Sequence, residues 1–471
     1  MIELRHHQLS FGDGLIAEEV SELWEDWMRH VDTVLDDAPL LDLVYERLAR
    51  RWAHSRTRGR KATPAEVVLR LLLLKHLRNW SYAVLEREVR ANLVYRQFTR
   101  VGAKKVPDAK TLGRLGLALG PELIEQIHQR VVAVAQEHKI VQGRRMRVDT
   151  TVVETNIHYP TDGTLLGDGV RVLTRAMKTI TELAGNVGAK LRERTRSVRH
   201  CLVYIGRASR SRSEQGKQRL AQGYRKLLVI TGRVLGQAKR FAREVASGVK
   251  GSACILTQAQ LQAQRQYLET MIPRVQQVMR QTRERIINGN TRSPGKLVSL
   301  FEPHTEIIRK GKAAKPTEFG KMVKIQEAEG QIVTHYAVYD TRPSDVDLLL
   351  PALAIHEQQF ARVPHLVTAD EGFFSIRNET AAHALGVKRV SIPNRCTKSS
   401  ERKQLQKKRW FRKAQKWRTG CEGRISLLKR RHGLNRCRYK GPDGIRRWVG
   451  LGVISDNLIN IGRALAAAAK T

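Results

Sequence analysis

One short run constrains this chain more than any other feature: Met146-Arg147-Val148-Asp149-Thr150-Thr151-Val152-Val153-Glu154. Its crowding of β-branched residues reads as a strand. A strand is stable only within a sheet, and the flanking sequence supplies no partner. Residues 1 to about 140 read as helical, and so does 165–290. Other β-type runs come only later, at 305–309, 322–327, 332–339, 365–370 and 387–392. The sheet is therefore expected to be discontinuous. It is expected to form an α/β core whose first strand is cut off from the rest by an all-helical insertion. From Asp149 to Asp370 the chain runs 370 − 149 = 221 residues, too long for a bare connection.

This pattern predicts a helical N-terminal region over 1–140, the first part of the core over 141–164 and the insertion over 165–290. The remainder of the core follows over 291–460, with a tail over 461–471. In the first region Thr63-Pro64-Ala65-Glu66 has the form of a capping box leading into an apolar helix over 67–77. Ser81 is placed to cap a helix over 82–89, and another begins near Ala109 with Lys110 and Arg114 in its first turns. Gly120-Pro121 then separates it from a helix over 122–138. Short helices with a basic third member are compatible with a helix-turn-helix DNA reader. A plain helical bundle would have the same pattern.

Charge narrows the partner. Lys and Arg total 85 against 45 acids in 471 residues, a net +40, and a polyanion is the natural counterweight to that self-repulsion. Hydrophobic residues at 41% are enough for real cores, which excludes wholesale disorder. Between Lys190 and Lys250 seventeen cations face three acids, 17 − 3 = +14, an excess that suits backbone phosphates. No apolar run is long enough to span a membrane, and the opening Met-Ile-Glu-Leu-Arg-His-His is not a secretory signal. Cys201, Cys254, Cys396, Cys421 and Cys437 form no C-x-x-C pair. The expectation is a cytoplasmic, nucleoid-associated protein without a zinc ribbon or disulfide framework.

Against this background three acids stand out. Asp149 lies inside an apolar strand and Asp370 ends another. Glu422 stands among eighteen Lys and Arg between residues 401 and 450, where the only other acids are Glu401 and Asp443. Singly, each reads equally well as an ion-pair partner. Together they suit a divalent-metal site, because Mg²⁺ takes hard oxygen ligands. Two such ions ~3.5–4 Å apart stabilise both attacking and leaving oxygens in phosphoryl transfer.

Four stretches carry a resemblance to the DDE transposases of bacterial insertion sequences, ISNCY-type or related. Val148-Asp149-Thr150-Thr151-Val152-Val153-Glu154-Thr155-Asn156-Ile157 resembles the family's first-aspartate strand. Thr305-Glu306-Ile307-Ile308-Arg309-Lys310-Gly311-Lys312, followed by Glu318-Phe319-Gly320, resembles its second strand region. Ala369-Asp370-Glu371-Gly372-Phe373 matches the second-aspartate motif, and Arg418-x-x-x-Glu422-x-x-x-x-x-x-Lys429 the C-terminal signature. The chain departs from the pattern at Gln415, where relatives often have tyrosine, and at Glu371, where they often carry a basic residue.

The resemblance implies an RNase H-like catalytic core, a mixed sheet flanked by helices, and Asp149, Asp370 and Glu422 as catalytic metal ligands for two Mg²⁺ ions, with Mn²⁺ as a substitute. Arg418 and Lys429 would grip phosphates beside them. Arg409, Arg412, Lys413, Arg430 and Arg431 surround the signature as DNA-backbone contacts. The substrates implied are double-stranded DNA, namely terminal inverted repeats and target, held by a homodimer or larger multimer. The implied reaction cleaves the element's ends and transfers the freed strands. A DDE-type nuclease that cuts without joining, and a catalytically idle DNA-binding relative, are the alternatives.

Other groups read more simply. Ser344 and Asp345 suggest a helix cap and dipole partner, and Asp162 and Asp168 suggest turn bonds in a Gly-rich loop. His158 reads as an exposed loop residue, and Trp410 and Trp417 at a spacing of seven read as core.

Overall fold

The computed structural model describes residues 1–6, 11–20, 22–184, 190–248, 255–309 and 316–470; Cys254 and Lys310-Gly311-Lys312 lie outside the described residues. The chain divides into two compact units, one of Met1–Asn156 with Ile308–Thr471 and the other of Ile157–Ile307. Among the described residues no helix is long and apolar enough to cross a membrane.

The first unit opens with helices α1 (Phe11–Glu19), α2 (Asp26–Val34), α3 (Ala38–Ala49), α4 (Ala65–Leu77), α5 (Tyr82–Ala91), α6 (Leu93–Phe98) and α7 (Ala109–Glu137). α4 is buried along its whole length, Arg70 included. The Arg70 guanidinium is matched by Asp32 at 2.6 Å, Asp36 at 2.8 Å and Glu66 at 3.2 Å, which is how a fully buried charge is tolerated. The expected capping box does not form. Pro64, not Thr63, is the N-cap, and no side chain caps the helix. The N–H groups of Ala65 and Glu66 instead donate to the carbonyls of Glu3 and Leu4, and Glu66 is drawn into the Arg70 cluster. Ser81 does cap α5, accepting from the Val84 N–H at 3.2 Å. α7 breaks at Gly120, whose φ of 74° ends one helical stretch before Pro121 starts the next.

His128 of α7 is buried and its Nε2–H donates to the Val333 carbonyl at 2.9 Å. Burial holds its pKa down to about 4. The unfolded chain takes up a proton near pH 6.5 that the fold refuses, so this contribution is intact above that pH and is lost as pH falls towards 4. Urea melts from pH 7.5 to 5 should show stability falling with acidification, by roughly 1.4 kcal/mol per pH unit per such histidine. His128→Gln should flatten that slope; an unchanged slope would show that other groups set it.

Strand β1 (Arg145–Glu154) follows, and then the second unit: α8 (Asp162–Ala184), α9 (Thr195–Ala208), α10 (Glu214–Ala246) and α11 (Ile255–Ile286). Its core is apolar side chains of all four helices, such as Leu173, Ile205, Phe241 and Val275. Asp162 and Asp168 lie in the first turns of α8, not in a loop. The glycines that suggest a loop serve helix packing. A side-chain carbon at Gly167 would meet Leu202 at 3.0 Å, and one at Gly169 would meet Val275 at 3.0 Å. Asp162 pairs with Arg285 at 3.0 Å and Asp168 with Arg171 at 2.6 Å.

The chain then completes the sheet with β2 (Glu306–Arg309), β3 (Thr317–Glu327), β4 (Val333–Val338), β5 (Leu366–Ala369) and β6 (Arg389–Ser391). The order is β2-β3-β1-β5-β6, with β4 also on β3. β1 is antiparallel to β3 and parallel to β5, so the sheet is mixed, as expected. Gly320 lies opposite Glu154, where any side chain would collide with the β1 backbone. α12 (Leu349–Phe360) and α13 (Ile376–Ala384) cover one face, packing on Met146, Val148 and Val367. After α14 (Ser400–Lys407), helices α15 (Arg409–Arg431) and α16 (Pro442–Ala468) cover the other, against Val153, Val323 and Ile325. Period-two alternation along β1 therefore turns Asp149 towards the α15 side.

Candidate active site

The sheet register brings the first two acids together. Val148 pairs with Ala369 across the parallel β1–β5 ladder, so Asp149 and Asp370 are the next residues on strands about 5 Å apart. Asp149 is mostly buried, and its Oδ1 accepts from the Thr150 N–H at 2.7 Å. The third acid comes from α15. Glu422, 55% exposed, accepts from Arg418 Nη2 at 2.7 Å, and Arg418 Nη1 lies 3.7 Å from Asp149 Oδ2. Burial opposes the charge on Arg418. The Glu422 hydrogen bond and the charges of Glu422, Asp370 and Asp149 outweigh it, so the guanidinium pKa is raised.

Helix α15 is seated by groups beneath it. Gln415, standing where relatives often have tyrosine, donates to the Ser391 carbonyl at 2.6 Å and to Thr368 Oγ1 at 3.1 Å; its Oε1 accepts from Arg418 Nε at 3.3 Å. It therefore ties the helix to β5 and β6 and steadies Arg418 at once. Arg147 of β1 passes close under Gly420, where a side chain would strike its guanidinium, and donates to the Trp417 carbonyl. The Trp417 ring is half-buried rather than in the core expected of it, and it packs on the Arg147 guanidinium, 4.7 Å from its centroid. Arg147 also forms a buried double hydrogen bond with Glu327, its cross-strand partner on β3. Arg424 of α15 continues the network to Asp456 of α16 at 3.0 Å.

An open cleft of about 1100 Å³ lies above these strands, lined by Asp149, Asp345, Asp370 and Glu422 together with Arg342, Lys429, Arg430, Arg436 and Arg438. Of the predicted residues, the three acids, Lys429 and Arg430 thus share one cleft, with Arg418 bonded to Glu422. Arg409, Arg412, Lys413 and Arg431 are exposed on α15 but do not line it, and Lys110 and Arg114 are exposed on the first turns of α7. Glu371 accepts from the Arg395 N–H at 2.9 Å and is not part of the lining. Asp345 requires a correction. Ser344 makes no side-chain cap, and Asp345 faces the cleft, where it accepts from Thr150 Oγ1 at 3.0 Å. Only the fold brings it to Thr150, 195 residues earlier in the chain and next to Asp149. Arg342, Arg436 and Arg438 also went unpredicted; the basic run 436–440 is the only signal for two of them.

The donor set can be tested against the metal that the resemblance implies. Four carboxylates offer hard oxygens at one cleft, the chemistry Mg²⁺ requires. Among the described residues, no three His, Cys, Asp or Glu side chains close around a single point. Mg²⁺ usually uses one or two carboxylates and completes its shell with waters and substrate phosphates, and the cleft suits that mode. The residues fit the ion in kind.

Comparison with known families gives two matches. Residues 19–115 match Transposase domain (DUF772), and residues 383–461 match Transposase DDE domain. The first spans α2 to α6 and the start of α7; the second contains Arg418, Glu422 and Lys429. A Transposase DDE domain implies an RNase H-like core, in agreement with the mixed sheet flanked by helices. No curated protein and no solved structure matches the chain.

Proposed function

We propose that this chain, which belongs to the DDE transposases of insertion sequences, cuts DNA at its element's ends and joins the freed strands to a target. What carries the reading is the β1–β5 register, which makes Asp149 and Asp370 neighbours with Glu422 across Arg418. In this reading Asp149, Asp370 and Glu422 hold two divalent ions, Mg²⁺ with Mn²⁺ as substitute. Bound there, the ions supply Lewis-acid charge to the scissile phosphate and activate the attacking oxygen. Arg418 balances the acids and orients Glu422, and Lys429, Arg430 and Arg436 neutralise neighbouring phosphates. Asp345 holds Thr150, and through it the backbone of Asp149. Water is the nucleophile for the first cut, which frees a 3′-hydroxyl; that hydroxyl then attacks target DNA. No covalent bond to the protein is required.

The helical region with Lys110 and Arg114 binds the terminal repeats, and the outward cations Arg409, Arg412, Lys413 and Arg431 follow the DNA backbone. Two ends must be brought together, so the working form is a dimer or larger multimer on DNA. The test is an assay on labelled DNA carrying the gene's native flanks, with Mg²⁺ or with EDTA. Nicked ends and joined products that appear only with the metal are expected. Cutting without joining would reduce the activity to that of a nuclease, and tight binding with neither would leave a DNA-binding protein alone.

A further inference from the structure

The second unit carries a groove that the catalytic reading does not use. It runs between α9 and α10 and encloses about 1040 Å³. Its rim is basic, with Arg194 beside His200 on one side and the cations Arg225, Lys226 and Arg233 on the other; none of the residues lining it is acidic. Its floor is apolar: Cys201, Val229, Ile230 and the ring of Tyr204. Positions 225, 229 and 233 recur every four residues, so one stripe of α10 alternates phosphate-binding charge with apolar surface. Tyr204 lies on Gly223 of α10. A side-chain carbon at 223 would come within 2.9 Å of the ring, so glycine lets it lie against the helix backbone. The ring nevertheless stays 42% exposed and Val229 54%.

Rim charges alone would serve the outside of a duplex. An exposed aromatic ring on an apolar floor serves bases, and a duplex keeps its bases inside, whereas a single strand offers them for stacking beside its phosphates. We propose that the α9–α10 groove binds single-stranded DNA, with Tyr204 as the stacking platform and Arg225, Lys226 and Arg233 on the backbone. The inference rests on the reading that this chain acts on DNA, but not on the cleft carboxylates.

The test is fluorescence anisotropy in EDTA, using the full chain and a labelled oligonucleotide as single strand or as duplex. Tyr204→Ala should weaken single-strand binding about 10-fold and leave duplex binding within about twofold, while Tyr204→Phe restores the single-strand affinity. Arg225→Ala with Arg233→Ala should reduce the salt dependence of single-strand binding by about 1.4 in log–log slope, the share of two phosphate contacts. Unchanged single-strand affinity in Tyr204→Ala, or an equal loss for both DNA forms, would overturn the groove assignment alone. If the unaltered chain bound neither form, the DNA reading itself would fall with it.

Discussion

Asp149→Asn and Glu422→Gln are each expected to lower DNA cleavage by at least about 10²–10³-fold while DNA binding is kept. Both substitutions nearly preserve shape and remove one negative charge. For Asp149 that charge sits in a mostly buried carboxylate beside Arg418; for Glu422 it sits in an exposed one that accepts from the same arginine. Transition-state stabilisation that depends on a single positioned group is typically worth this much, and loss of a hard metal ligand acts at the same step. Binding should hold or tighten slightly, because an anion is removed from the cleft proposed to receive phosphate. Glu371→Gln is the internal control. That side chain binds Arg395 away from the cleft lining, so cleavage should be near the unaltered rate. Gel assays of nicking with parallel binding isotherms decide the matter: near-normal cutting by either cleft variant would remove that residue from the site.

The largest stability effect is expected at Arg147→Met. Arg147 and Glu327 are both nearly inaccessible, and the pair is joined by two hydrogen bonds. Removing one partner strands a buried charge and costs about 3–5 kcal/mol, whereas replacing both with well-packed apolar residues is often close to neutral. Urea unfolding should therefore show a large loss in Arg147→Met and recovery of most of it when Glu327→Leu is added. The loss also depends on pH. Burial pushes the Glu327 carboxyl up, and the Arg147 hydrogen bond pulls it down. Burial already wins, so the carboxyl stands above its ordinary range; without Arg147 it rises further, although Arg424 remains 3.7 Å away. The folded variant then retains a proton that the unfolded chain releases above pH ~4.3. The deficit should be greatest at neutral pH and shrink as the solution is acidified. A pH-independent deficit would mean that lost packing, rather than the stranded carboxylate, is responsible.

Much of this architecture was legible in the sequence because its signals are local. The β-branched run around Asp149 stands out between helical stretches, and in a chain with 85 cations and 45 acids an acid at a strand end is conspicuous. The convergence of Asp149, Asp370 and Glu422 on one cleft could be anticipated for that reason, with the family resemblance supplying the pairing of motifs. What stayed hidden depends on distance or on packing. Asp345 follows Ser344 in a helix-start pattern, and nothing nearby shows that Thr150 will reach it. Glu327 is one acid of an ordinary β run until β1 and β3 pair and set it against Arg147. Gly163, Gly167 and Gly169 suggest a loop to any local rule, since the helices that press on them lie elsewhere in the chain. Thr63 fits its motif, but the backbone of Glu3 and Leu4 satisfies the helix first.

The divided sheet also sets a schedule for synthesis. β1 is central, and both strands that flank it, β3 and β5, are made only after the second unit. At ~5–20 residues per second the 370 − 149 = 221 residues between the two aspartates occupy the ribosome for roughly 10–45 s. Until β3 emerges the nascent chain holds an unpaired strand, and it has no complete cleft until α15 has emerged. A chain cut short just before Glu422 would still carry its basic helices, but it would lack the last of the three acids proposed to cut DNA.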